Sequence, residues 1–340
     1  MDCTRDEKTE RAESLGIVFG DVVLGVHGTG FEYLFSYQAG GLESMVVNGR
    51  EWLYRAPKPT FWRAVTDNDR GCGFPWRSAM WLGADMFLRT KEIRVQVDGQ
   101  EVPRFMAPGN NRFAGEVKAE TLQVVFVYST ATVPETEVEI SYTVERTGRI
   151  RVDAHYYGKE GLPQLPVFGM RFIMPTRAEG YCYTGLSGET YPDRMAGGIR
   201  GEWRVDGLPV TPYLVPQDCG MHMDTESLTV YRSSVLANER KEGEEAVPFS
   251  LTFGKAKEPF AFSCLPYTAE ELENATHQEE LPLPRRTVVC ILGAVRGIGG
   301  IDSWGSDVEA SWHIDAAQDI EYSFYVIPPR RKDERGGVLI

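Results

Sequence analysis

The chain has 340 residues and 42% hydrophobic content, enough to bury a sizeable core as one large domain or two medium ones. With 36 basic against 49 acidic residues the net charge is −13, a field that repels phosphate backbones and anionic membranes and makes nucleic acid a poor partner. No apolar run reaches the roughly 18 residues that a membrane-spanning helix needs.

The charged stretch Met1 to Arg11 lacks the apolar segment of a secretory signal. Residues 1–14 therefore read as a disordered lead-in before a first strand near Gly16–Val18. Gly25-Val-His-Gly-Thr-Gly30 precedes strand-like residues, so it reads as a hairpin turn and not as a nucleotide loop. Asp67-Asn-Asp-Arg-Gly71 resembles the opening of a calcium loop, but the later ligands are missing, and an Asx-rich turn explains it more simply. Ser78–Gly83 is a candidate short helix. Ile93, Val95 and Val97 alternate with polar residues into an Asp98-Gly99 turn, and Leu122–Tyr128 is a more fully buried strand. Val138, Ile140, Tyr142 and Val144 form one arm of a hairpin, and Ile150, Val152, Ala154 and Tyr156 form the other. The Lys241–Glu245 stretch is a polar loop; Phe249, Leu251 and Phe253 then repeat the strand alternation. Thr268-Ala-Glu-Glu271 is a capping box opening a helix of about two turns. Strands over Arg286–Leu292 and Ile320–Val326 follow, and residues 329–340 form a loose tail. Strands far outnumber helices and no βαβ alternation exists, so the expected fold is a large antiparallel β-sandwich with one or two short helices, a single domain over 15–328.

Six scattered cysteines without a CxxC pair argue against a zinc site and a disulfide framework, and together with the missing signal they suggest the cytoplasm. Glu270, Glu271, Glu273, Glu279 and Glu280 crowd together, but on a short helix and its following loop they read as solvated, with Glu271 serving the cap. No HExxH, Gly-x-Ser-x-Gly or Walker pattern is present. Gly297-Ile-Gly-Gly-Ile-Asp-Ser-Trp304-Gly305 places one indole on a glycine-rich loop between strands. Such an indole can stack on the C–H face of a sugar, although taken alone the loop fits a packed core tryptophan better. Two further polar loops stand out, Phe61–Gly71 and Gly185–Arg194. Their glycines, hydroxyls, aromatics and charges suit a sugar site, and by themselves suit a protein interface slightly better.

In order and spacing, Phe61-Trp-Arg-Ala-Val-Thr-Asp-Asn-Asp-Arg-Gly71, Glu189-Thr-Tyr-Pro-Asp-Arg194 and Gly299-Gly-Ile-Asp-Ser-Trp304 resemble three signatures of the C-terminal domain of lactose-operon β-galactosidases, glycoside hydrolases of family two. Together with Tyr37–Ser44, Trp81–Phe87 and Phe262–Leu272 they resemble more closely the separate small subunit of heterodimeric β-galactosidases, over about Leu15 to Pro328. The resemblance implies a supersandwich of the galactose-mutarotase type that completes the active site of a large catalytic subunit. The acid/base, the nucleophile and the magnesium and sodium sites are then expected in that large subunit, leaving no catalytic residue, metal or cofactor in this chain. It further implies that Trp304 binds the galactoside and that Gly185, Leu186, Ser187, Gly188, Glu189 and Thr190 form a mobile loop near it. Structural or interface duty is expected of Asp67, Asn68, Asp69 and Arg194. Phe61, Trp62 and Trp76 are candidates for the partner surface, with core packing an equally good explanation. The rival readings are a free-standing aldose 1-epimerase, which lacks a matching His/Glu motif here, and a non-catalytic carbohydrate-binding module.

Overall fold

A computed structural model describes residues 14–107, 116–236 and 247–329. The expected lead-in up to residue 13, the Lys241–Glu245 loop and the tail from residue 330 lie outside them. The described residues form three sheets of six, ten and five strands, and every strand pair is antiparallel. Alternation of period two creates the strands, and tight turns set their register. The Asn48-Gly49 and Asp98-Gly99 turns both carry two consecutive positive φ values, the geometry that matches the twist of a two-residue hairpin.

The ten-stranded sheet is the floor of the molecule. Val124, Tyr142, Val152 and Phe324 stand in one cross-strand row on its inner face. At one end of the row, Phe35 of the six-stranded sheet packs 5.6 Å from the Tyr142 ring. At the other end, Phe172 of the five-stranded sheet meets Phe324 at 6.0 Å and Phe253 at 5.1 Å. Both smaller sheets therefore cover the same face of the large one. A single cluster of buried residues, from Leu15 to Val326, draws on all three sheets. Each fully buried aliphatic or aromatic side chain in it contributes about 1.5–3 kcal/mol of burial free energy. The opposite face is wet and carries ion pairs such as Arg151–Asp153 and Lys91–Glu137.

Helices are few and short. Ala269–Asn274 starts at the expected Thr268–Glu271 capping box, in which Thr268 N–H donates to Glu271 at 2.7 Å. Asp67–Gly71 is a one-turn helix and not an Asx turn. Thr66 caps it, and Asp69 closes a second capping box by accepting from Thr66 N–H at 2.9 Å. Phe74–Ser78 is a further short helix, and the segment expected to be helical over 78–83 is a single 3-10 turn, Ala79–Trp81.

The five-stranded sheet determines where the loops emerge. Arg55–Thr60 and Thr287–Val295 both pair antiparallel with Val167–Met174, which lies between them. The two outer strands therefore run the same way and end side by side. One ends into the 61–71 loop and the other into the 296–308 loop, so two distant segments leave the sheet at the same edge.

Candidate site where three loops converge

The three loops singled out in the sequence meet in space: a buried ionic hub joins the 61–71 and 296–308 loops, and Asp193 and Arg194 tie the 185–194 loop to the latter. Asp69 lies between two guanidinium groups, accepting from Arg63 Nη1 at 2.7 Å and from Arg296 Nη1 at 3.0 Å. All three side chains are 3% exposed or less. Burial disfavours the Asp69 carboxylate, but the Arg63 guanidinium outweighs it and holds the pKa below the ordinary carboxylate range. Arg296 reaches on to Asp307, which Arg77 also binds at 2.6 Å, and its guanidinium lies 3.9 Å over the Phe74 ring. Arg63 and Arg296 both donate to the Gly297 carbonyl at 3.3 Å, so the hub grips the root of the tryptophan loop.

Beyond that root the loop is thin and closely approached. Gly300 has φ +80°, and a β-carbon there would lie 2.6 Å from the Asn68 amide nitrogen. At Gly305, φ +81°, it would lie 2.7 Å from the Gly71 carbonyl oxygen. Glycine is required at both places, by conformation and by space. The Asp302 carboxylate accepts from Trp304 N–H at 2.9 Å and Ser306 N–H at 3.2 Å, closing the tip turn, and the Ser306 hydroxyl, followed by these backbone bonds, lowers its pKa. Trp304 stands at that tip with 91% of its surface exposed. The core-packing reading of this indole is thereby removed: nothing among the described residues covers it.

The Gly185–Thr190 segment sits above an aromatic floor. Gly185 and Leu186 end the strand Gly180–Leu186, Ser187 N–H donates to Ile199 O at 2.9 Å, and Gly188 takes φ +73°. Thr190 is pinned by its N–H to Met221 O and by accepting Met223 N–H, each at 2.8 Å. Glu189 is surface-exposed, yet partial desolvation raises its carboxyl pKa, opposed by the Gly220 amide and Thr211 hydroxyl. Beneath lie Tyr181, Tyr183, Phe262 and His222, whose ring stacks 4.6 Å from Phe262. Burial pushes the His222 pKa down to about 4, so the imidazole is neutral at pH 7. Tyr191 OH donates to Asp218 at 2.8 Å, and burial pushes that carboxyl up to about 7 against the pull of Arg63.

Several expected placements change. Asp67 is exposed and pairs only with Arg70 at 2.9 Å, whereas Asp69, two residues on, is the centre of the hub. Asn68 faces Gly300, and Arg194 donates to the Gly299 carbonyl. Phe61 and Trp62 are core residues, and Trp76 alone of the three is exposed, at 88%. Glu270 and Glu273 are not simply solvated. Glu270 bonds Arg171 at 2.9 Å, and Glu273 accepts from Val65 N–H at 2.8 Å and Trp62 Nε1 at 3.2 Å. Arg63, Asp193, Arg296 and Asp307 carried no individual signal, because their partners lie up to 235 positions away in the sequence.

The arrangement offers a hydrophobic, flat, exposed surface on a braced loop, suited to stacking on a sugar. Retaining glycosidases place two carboxyls about 5–5.5 Å apart, one as acid/base and one as nucleophile. Asp302 is occupied by its own loop, while Asp85 and Glu270 flank the Arg171 guanidinium as ion-pair partners. Among the described residues no group of three or more His, Cys, Asp or Glu is arranged to hold a metal ion, and no helix is long and apolar enough to cross a membrane.

Residues 27–326 match a family model described as beta galactosidase small chain. The beta-galactosidase small subunit of Latilactobacillus sakei is 60% identical over 312 residues, covering 92% of this chain and 97% of that one. The beta-galactosidases of Streptococcus thermophilus and Halalkalibacterium halodurans are 31% and 33% identical, over 92% and 95% of this chain. There the chain spans only 28% and 29% of the relative's length. A putative aldose 1-epimerase from Escherichia coli K12 has a solved structure similar over 92% of this chain and 98% of its own, at 10% identity and TM-score 0.41.

Proposed function

The chain belongs to the beta galactosidase small chain family, and from that premise we propose that it is the sugar-platform half of a split β-galactosidase. Its partner is a large chain of glycoside hydrolase family two that carries the acid/base and the nucleophile, with magnesium and sodium bound there. The size relation supports this reading: one relative is matched almost end to end, whereas others contain this chain as little more than a quarter of a longer protein. Unpaired thiols at Cys72, Cys182, Cys219, Cys264 and Cys290 support a cytoplasmic setting.

The observation that carries the proposal is the exposed indole of Trp304 on a loop whose root is fixed by a buried ionic hub. An indole so exposed in the isolated chain has its face free for a ligand brought by another surface. Stacked against the C–H face of a terminal β-galactoside, it holds the ring over the partner's carboxylates. The 185–190 segment connects to the tryptophan loop through its shoulder, where Asp193 and Arg194 bond Ile298 and Gly299, which supports a place for it near the same ligand. This interaction forms in the ground state and persists into the transition state, so its loss raises KM more than it lowers kcat.

The test is Trp304→Ala in the assembled enzyme. Aromatic contacts of this kind contribute about 0.5–1.5 kcal/mol beyond area burial, so KM for a galactoside rises roughly three- to tenfold or more. A variant with wild-type KM removes the stacking role.

A further inference from the structure

We propose that Asp193 and Arg194 clasp the two substrate-facing loops into one unit, which makes Asp193 a positioning residue for galactoside binding. The inference rests on the reading of Trp304 given above and goes beyond it, to what sets the angle of the indole.

Asp193 lies on the shoulder of the 185–194 loop with its side chain 6% exposed. Its two carboxylate oxygens each take one backbone amide of the tryptophan loop, Ile298 N–H at 3.0 Å and Gly299 N–H at 2.8 Å. Arg194 donates to the Gly299 carbonyl, so Gly299 is held at both its amide and its carbonyl by consecutive residues of the neighbouring loop. The fit is tight: a β-carbon on Gly297 would lie 3.0 Å from Asp193 Cγ. Carboxylate bonds to backbone amides are charge-assisted and among the stronger hydrogen bonds available to a side chain. The hub holds Gly297 by its carbonyl and Asp307 by its side chain, on either side of the tip. Residues 298 and 299, which carry the chain toward the tip, take the side-chain hydrogen bonds to their backbone from Asp193 and Arg194, while Ile298 also packs on the buried cluster of Val167, Tyr191 and Leu292. A shift of that loop is therefore passed through Asp193 to the base of the Trp304 turn.

The experiment compares wild type, Asp193→Ala, Asp193→Asn, Trp304→Ala and the Asp193→Ala/Trp304→Ala double variant, each saturating the large chain, with o-nitrophenyl galactoside as substrate. Expected is a KM raised about fivefold or more in Asp193→Ala with kcat within about twofold, and a smaller rise in Asp193→Asn, which keeps one acceptor oxygen. The double variant is expected to match Trp304→Ala alone, because the clasp acts through the indole. Effects that multiply, or a wild-type KM in Asp193→Ala beside a raised KM in Trp304→Ala, overturn the clasp. Hydrogen exchange on the chain without its partner separates the clasp from the reading beneath it. Asp193→Asn is expected to speed exchange about tenfold or more in residues 186–190 and 298–304 together. Acceleration in only one segment, or in neither, overturns the clasp whatever Trp304 does, whereas coupled acceleration beside a wild-type KM in Trp304→Ala overturns the stacking role instead.

Discussion

Removing the Asp69 carboxylate should be among the most damaging single changes near the site. In Asp69→Ala, Arg63 and Arg296 are left facing each other in a protein interior where each is 3% exposed or less. Arg296 keeps Asp307, but Arg63 loses its ion-pair partner, and taking one partner from a buried pair costs about 3–5 kcal/mol because the remaining charge stays desolvated. The same substitution opens the capping box on Thr66, adding about 1 kcal/mol. At about 2.1 cal/mol/K per residue, 340 residues give an unfolding entropy of about 0.7 kcal/mol/K. A loss of about 4–6 kcal/mol then lowers Tm by roughly 6–8 °C. Asp67→Ala is the control, since its exposed pair with Arg70 contributes about 0–1 kcal/mol and shifts Tm by less than about 1.5 °C. The pH dependence has a definite sign. The folded pKa of Asp69 is depressed, so its stabilisation is complete above the unfolded value of about 3.9 and is lost as pH falls through the folded value. The gap between wild type and Asp69→Ala, measured by scanning calorimetry, is therefore full at pH 7 and narrows below pH 4. A Tm within about 2 °C of wild type at pH 7 would refute the hub as the brace of these loops.

Two further expectations follow from the same geometry. His222 has a folded pKa of about 4 against an ordinary 6.5, so the unfolded chain takes up the proton first as pH falls. Stability is full above about 6.5, and about 3 kcal/mol is lost by about pH 4; His222→Phe should flatten that limb of the Tm–pH curve, and parallel curves would contradict it. Gly305→Ala puts a β-carbon 2.7 Å from the Gly71 carbonyl oxygen at φ +81°, which stores about 1–3 kcal/mol of strain in an exposed loop. Tm should fall by about 1–4 °C while galactoside KM rises in the assembled enzyme, and an unchanged KM would show that the turn beside Trp304 tolerates displacement.

The strands were readable because a sheet with one wet face writes its burial directly into alternation. Glu139 and Thr143 lie outside while Val138, Ile140 and Tyr142 lie inside. The helix Asp67–Gly71 was missed although Thr66-x-x-Asp69 is itself a capping-box spacing; the following glycine and the Asx residues favoured a turn. Phe61 and Trp62 show the limit of composition. Large aromatics on a polar loop suit an interface and a core equally, and only the pairing of Arg55–Thr60 with its neighbour determines that these point inward. The hub and the Asp193 contacts were out of reach for a different reason. An aspartate that will sit between two arginines, one 227 positions away, has no local pattern to distinguish it from a solvated one. The tryptophan loop suggested a sugar platform only in company with the other two loops, and the parallel exit of two strands explains why two of the three meet.

The most direct measurement is the hydrolysis of a chromogenic β-galactoside by this chain alone, by a large galactosidase chain alone and by the two together. Full activity is expected only in the mixture, with none from this chain by itself. Turnover by this chain alone, or a large chain whose activity is unchanged by adding it, would contradict a split active site completed by Trp304.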